Sequence, residues 1–198
     1  PLLKMVYAPL LLLFLLVPIR HFKGKKHYLV AAGLMVIFAS AGAITSYLNI
    51  DGLYIPYSEY APEAGWVHLA EGADKDLQME FLKNNPGQIF SVLGKTLVYT
   101  SPMFLSGYIG SFGWLELPLP LWAVIFTYIY LLVVAVAQPP TVSIKLRHKV
   151  LFGLSAFLCL CLVIFSQYLN WDLVGNDRAF TLQGRYLTPF FPLFFMML

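Results

Sequence analysis

"KVLFGLSAFLCLCLVIFSQYL", residues 149–169, opens on Lys149 and then runs to its end without another charged residue. A helix needs about 20 apolar residues to cross a bilayer core of about 30 Å. Three further runs have the same character, residues 2–18, 27–48 and 120–137, and another begins at Tyr186 and continues through residue 198. Across the whole chain 59% of residues are apolar and only 12% are charged. A soluble domain carries about 25% charged residues. The expected fold class is therefore all-α and polytopic, a transmembrane helix bundle with interfacial helices. The 186–198 run would extend only about 20 Å as a helix, so the sequence is read as a fragment of about five transmembrane helices, the C-terminal part of one transmembrane domain.

Charge placement sets the expected topology. Arg20, Lys23, Lys25 and Lys26 lie between the first two runs, and Lys145 and Arg147 lie between the third and fourth, with Lys149 at the start of the fourth. Both connections are short and free of acids, so the positive-inside rule puts 19–26 and 138–148 in the cytoplasm. Residues 49–119 and 170–185 then face the extracytoplasmic side of the cell membrane. All ten acids fall in those two segments: Asp51, Glu59, Glu63, Glu71, Asp74, Asp76, Glu80, Glu116, Asp172 and Asp177. The opening run ends at Pro18 without a small-residue cleavage site and does not resemble a signal peptide. Cys159 and Cys161, two apart inside an apolar run, read as core- or lipid-facing thiols. The basic clusters read as topology signals and headgroup contacts, and nothing points to nucleic acid.

Within the long outer segment, residues 74–84 predict a short amphipathic helix with Leu77, Phe81 and Leu82 on one side. Residues 86–112 predict an interfacial helix capped by Asn85, with Pro86 at its first position. Gln88, Ser91, Lys95 and Tyr99 form its polar stripe, Ile89, Leu93 and Leu97 its apolar side, and Pro102 is expected to break it. Such a helix lies on the membrane with its apolar side down.

Several residues are candidates for chemistry. In "TLQGRYLTPFFP", residues 181–192, Arg185 is read two ways. It is an interfacial anchor beside the aromatic Tyr186, or it is an anion contact at a helix N-terminus, where Gly184 lets a ligand approach and the guanidinium fork matches phosphate oxygens. Lys95 and Arg178 add two cations on the same expected side, against the ordinary reading of snorkelling or solvated charges. Asp51, just past a run, and Glu116 are weak candidates for a general base. The residues themselves assign no catalytic group beyond these. No metal-ligand spacing is present.

Four blocks resemble, in order, the domain-of-unknown-function 2142 family of predicted bacterial membrane proteins: "LKMVYAPLLLLFLLVP" (3–18) followed by "HF", "LQMEFLKNNPGQIFSVLGKTL" (77–97), "GSFGWLELPLP" (110–120) and "LQGRYLTPFFPLF" (182–194). The shared positions are Lys4, Tyr7 and Pro9; Asn85 and Pro86; Gly113, Trp114, Leu115, Glu116 and Pro120; and Gln183, Gly184, Arg185, Tyr186, Leu187 and Pro189. The family often has aspartate where Glu116 stands. Its members look like integral-membrane glycosyltransferases of the C superfamily. The resemblance implies transfer of a sugar from a polyprenyl-phosphate carrier to a glycan acceptor outside the membrane, in cell-envelope polysaccharide assembly. It casts Arg185, Arg178 and Lys95 as lipid-phosphate contacts, with Gln183, Gly184, Tyr186 and Trp114 supporting the motif, and it implies a catalytic acid in sequence upstream of Pro1. No cofactor is evident, although the resemblance allows a divalent metal. Two other classes compete. A lipid or polysaccharide transporter should bury ionisable groups near mid-membrane, and the runs 27–48, 120–137 and 149–169 have none there. A non-enzymatic subunit that binds another membrane protein would use the small residues Ala31, Gly33, Ala39, Ala41, Gly42 and Ala43.

Overall fold

Apolar runs become helices because the helix satisfies its backbone groups internally, and the chain is mostly helical. The computed structural model describes residues 5–48, 72–112, 117–137 and 144–198. Its helices are α1 (Lys25–Leu48), α2 (Lys75–Asn84), α3 (Gln88–Lys95), α4 (Ser101–Gly110), α5 (Leu121–Ala137), α6 (Leu146–Asn170) and α7 (Pro192–Phe195). A π turn, Thr96–Thr100, joins α3 to α4 without interruption, and 3-10 helices cover Met5–Leu16, Ile19–His21 and Gly184–Leu187. Two short strands, β1 (Ser111–Phe112) and β2 (Leu117–Pro118), pair antiparallel with Ser111 opposite Pro118. Among the described residues one helix, α6, is long and apolar enough to cross a membrane, while Met5–Leu16 and Leu121–Ala137 are apolar but shorter.

Proline explains two departures from the expected runs. Residues 186–198 form two separate helical turns rather than one helix, because Pro189 and Pro192 cannot donate to the preceding carbonyls. Pro9 lies inside the 3-10 helix Met5–Leu16. Pro102, by contrast, does not end its helix. It is the second residue of α4, which continues from the π turn.

The chain divides into two compact units. The first comprises Pro1–Tyr47, Ile125–Leu160 and Leu187–Leu198. Its described contacts are mainly aromatic. Phe14 stacks on Tyr28 at 4.9 Å, and Phe22 meets Tyr28 edge-on at 5.3 Å. Tyr7 lies 6.3 Å from Phe190, and Phe191 lies 5.6 Å from Phe195. Leu187, Phe190, Ala156 and Cys159 are fully buried. Most large side chains of α1, and of α5 from Ile125 onward, are instead bare: Leu29, Val30, Ile37, Phe38, Phe126 and Val136 are all exposed. The Thr45 hydroxyl of α1 donates to the Ala41 carbonyl one turn back, 2.8 Å away. An exposed apolar surface this continuous marks contact with a partner or with lipid.

The second unit comprises Leu48–Val124 and Cys161–Tyr186. Asp74 caps α2, its carboxylate accepting from the N–H groups of Asp76 and Leu77 at 2.9 and 3.0 Å. The buried side of α2 carries Gln78 and Leu82, whereas Leu77 is exposed, so the expected grouping of Leu77 with Leu82 does not hold. Asn85 closes α2 instead of opening α3. Its side-chain amide and its backbone N–H both donate to the Phe81 carbonyl, and Gly87 occupies the position before α3. The inward face of α3 and its continuation is Val92, Thr96, Thr100 and Phe104, while Ile89, Leu93 and Leu97, the side expected to lie on the membrane, are half-buried.

Candidate anion site on a pinned loop

Residues 171–183 have no regular backbone ladder, yet Asp172, Ala179 and Leu182 are buried. Their peptide groups need partners, and side chains from the surrounding helices supply them. The Gly175 N–H donates to the Gln78 side-chain oxygen at 2.9 Å. The Asn176 carbonyl accepts from the Tyr168 hydroxyl at 2.7 Å and from the Gln88 amide at 3.3 Å. Ala179 is clasped on both sides, its N–H donating to Thr96 Oγ1 at 2.9 Å and its carbonyl accepting from the Thr100 hydroxyl at 3.2 Å. The Gln167 amide donates to the Thr181 carbonyl at 3.2 Å. This is why the inward face of the π turn carries threonines: a hydroxyl can accept, as Thr96 does, or donate, as Thr100 does.

Asp172 closes the loop on itself. Its Oδ1 accepts the Phe180 N–H at 3.0 Å, and the residue is 3% exposed. Oδ2 is buried without a well-formed hydrogen bond. Burial raises the carboxyl from its ordinary 3.8 to about 6, with hydrogen bonds from Phe180 and Thr181 offsetting part of the rise.

The pinned loop presents Asp177 and Arg178. Lys95, from the end of α3, donates to Asp177 Oδ2 at 3.3 Å, and Arg178 Nε lies 3.9 Å from Asp177 Oδ1. The Arg178 guanidinium sits over two rings, 4.6 Å from the centroid of Phe180 and 5.3 Å from that of Tyr99. Lys95 and Arg178 are thus brought to one carboxylate. Beside them the outer side of α3, the π turn and α4 shows Phe90, Val98, Tyr99 and Met103, all exposed. The site therefore joins two cations to an uncharged, partly aromatic flank.

Arg185 sits on the separate turn Gly184–Leu187, exposed, its guanidinium 5.6 Å from the Tyr186 ring. The turn spans four residues and does not lead directly into a helix. Gly184 is buried, and a Cβ there would collide with the backbone of Phe104, Gly107 and Tyr108. The close approach that this glycine permits is to α4, not to a ligand. Gln183 supports the same turn, its carbonyl accepting the Tyr186 N–H at 3.1 Å.

Asp51, Glu116 and Trp114 lie outside the described residues. Among the described residues no three His, Cys, Asp or Glu side chains gather as metal ligands would. Both cysteines are free thiols, Cys159 buried and Cys161 half-buried. Sequence reasoning passed over Thr96, Thr100, Gln78 and Asp172. The legible signal was the four-residue spacing of Val92, Thr96, Thr100 and Phe104, a stripe that mixes threonine with large apolar residues.

The family model described as "Predicted membrane protein (DUF2142)" matches residues 1–194. No curated protein and no solved structure gives a significant match.

Proposed function

The chain belongs to the domain-of-unknown-function 2142 family of predicted membrane proteins, and on that premise we propose that it is part of a C-superfamily-like glycosyltransferase. In this reading it takes a sugar from a polyprenyl-phosphate carrier on the extracytoplasmic side of a multi-pass membrane domain, for cell-envelope glycan assembly. The observation that carries the reading is the pair Lys95 and Arg178, held beside one carboxylate and flanked by bare apolar surface. A polyprenyl phosphate has the matching chemistry, an anionic head on an isoprenoid tail. Arginine and lysine supply charge-assisted hydrogen bonds to phosphate oxygens, and Tyr99 and Val98 offer the tail an apolar surface.

The proposed topology keeps 19–26 and 138–148 in the cytoplasm and 49–119 and 170–185 outside. It is supported by the packing of residues 72–112 with 171–186 into one compact unit, as segments sharing a side of the membrane must be free to do. Runs 2–18, 27–48, 120–137, 149–169 and 186–198 are the proposed membrane-embedded parts. Arg185 is a further phosphate contact in this reading, from its own turn, and Asp51 and Glu116 are the acids to test for catalysis.

The test uses the full chain in nanodiscs. It should bind polyprenyl phosphate, and Lys95→Ala with Arg178→Ala together should weaken that binding about tenfold or more, the scale of losing a hydrogen bond to a charged group. Arg185→Ala, measured alongside, should weaken it as well. Wild-type affinity in both variants, with folding intact, overturns the phosphate reading.

A further inference from the structure

Asp177 stands where the proposed ligand should go. Its carboxylate directs Oδ2 to Lys95 and Oδ1 to Arg178, so the two cations already share one anion. We infer that Asp177 is an internal competitor: its carboxylate occupies the place of a phosphate group between Lys95 and Arg178, and ligand binding exchanges one anion for the other. This rests on the reading of Lys95 and Arg178 as phosphate contacts.

Three observations support exchange over a fixed structural bridge. First, the carboxylate is accessible. The side chain of Asp177 is 50% exposed and that of Lys95 is 44% exposed. Ion pairs this open to water contribute little, because solvent screens them and the long side chains lose freedom in making them. Second, the loop does not depend on Asp177 for its shape. On one side Gly175 and Asn176 are held by Gln78, Gln88 and Tyr168. On the other, Ala179 and Phe180 are held by Thr96, Thr100 and Asp172. Arg178 is further seated over the Tyr99 and Phe180 rings. Releasing the carboxylate leaves the loop held and Arg178 seated. Third, a phosphate brings more acceptor oxygens than a carboxylate and up to twice the charge. It therefore wins the exchange when present and yields to the tethered carboxylate as it leaves. An internal anion of this kind lowers affinity for the ligand and speeds release of the spent phosphate carrier, a step that limits turnover in many enzymes.

The experiment compares wild type, Asp177→Asn, Asp177→Glu and the Lys95→Ala, Arg178→Ala double variant, each as the full chain in neutral-lipid nanodiscs. The probes are polyprenyl phosphate and, separately, inorganic phosphate, and thermal unfolding is followed in parallel. Asp177→Asn should raise affinity for polyprenyl phosphate about fivefold with an unchanged melting temperature, the scale expected for removing exposed ion pairs. Asp177→Glu, which keeps the charge, should stay near wild type. A matching rise for inorganic phosphate supports exchange at a general phosphate site, and a rise confined to the lipid supports exchange with a lipid headgroup. Unchanged or weaker binding in a well-folded Asp177→Asn protein overturns the inference. If the double variant loses binding in that case, the phosphate reading survives alone. If the double variant binds like wild type, that reading fails at this site as well.

Discussion

In the unit formed by Leu48–Val124 and Cys161–Tyr186, buried threonines, glutamines and an aspartate hold an irregular loop peptide by peptide. In the unit formed by Pro1–Tyr47, Ile125–Leu160 and Leu187–Leu198, rings lie on rings, and long helices leave their apolar faces bare. The difference reflects the solvent each is built for. A loop carries peptide groups that must be paired wherever water is excluded. A helix has already paired its own, so its side chains are free to match the surroundings. Polar specificity is spent where the backbone is irregular, and bare hydrocarbon is left where it is regular.

The sharpest test of this contrast compares two glycines. A Cβ at Gly184 would meet the α4 backbone, which cannot swing aside as a side chain can, whereas a Cβ at Gly33 of α1 meets nothing within 4 Å. Gly184→Ala should therefore cost about 3 kcal/mol or more, at the upper end of overpacking penalties. Gly33→Ala should be neutral or stabilising by roughly 0.5–1 kcal/mol, the helix preference of alanine over glycine. Equilibrium unfolding in detergent micelles reads both, and equal effects would erase the distinction between the units.

A charge placed on the bare face comes next. Phe38, in the middle of α1, is 74% exposed. If lipid covers it, Phe38→Lys should cost about 3 kcal/mol in the apparent insertion free energy of α1, the scale for a lysine at a helix centre. If water covers it, the change should fall within about 0.5 kcal/mol. A value at the lower end would remove lipid as the solvent of this helix.

The smallest effect concerns the buried acid of the polar unit. Its folded-state pKa of about 6 lies above the ordinary 3.8. Between those values the folded chain keeps a proton that the unfolded chain has released. Stability is therefore greatest below the lower value, falls as pH rises towards 6, and levels off above it. The total fall should be at most on the order of 3 kcal/mol, and less to the extent that water reaches the carboxyl. Unfolding midpoints measured from pH 4 to pH 7 should show this slope in wild type and lose it in Asp172→Asn. A slope that persists in the variant assigns the titration to another group.

Local signals were readable from the residues alone. The apolar runs locate α1, α5 and α6, and Asp74 opens α2 as an N-cap because its partners are two and three residues away. The inward face of α3 was not readable in the same way. The sequence divides the helix into a polar stripe and an apolar side meant for the membrane, whereas the neighbouring element is a loop short of hydrogen-bond partners, and Thr96 and Thr100 satisfy it. Asn85 has a capping side chain that serves either neighbouring helix, and only the chain path decides that it closes α2. The pair Lys95 and Arg178 was legible as charge on one expected side of the membrane. Their shared carboxylate was not, because Lys95 and Asp177 are 82 residues apart in sequence.

The π turn has a geometric consequence of its own. Residues four apart on an α-helix drift about 40° around the axis at each step, so Val92, Thr96, Thr100 and Phe104 would spiral away from a straight neighbour. One wider turn absorbs an extra residue and winds that drift back, so all four stay aligned like teeth on a rack. Trimming a single residue from this turn would rotate everything beyond it, and the two hydroxyls could no longer grip the same alanine.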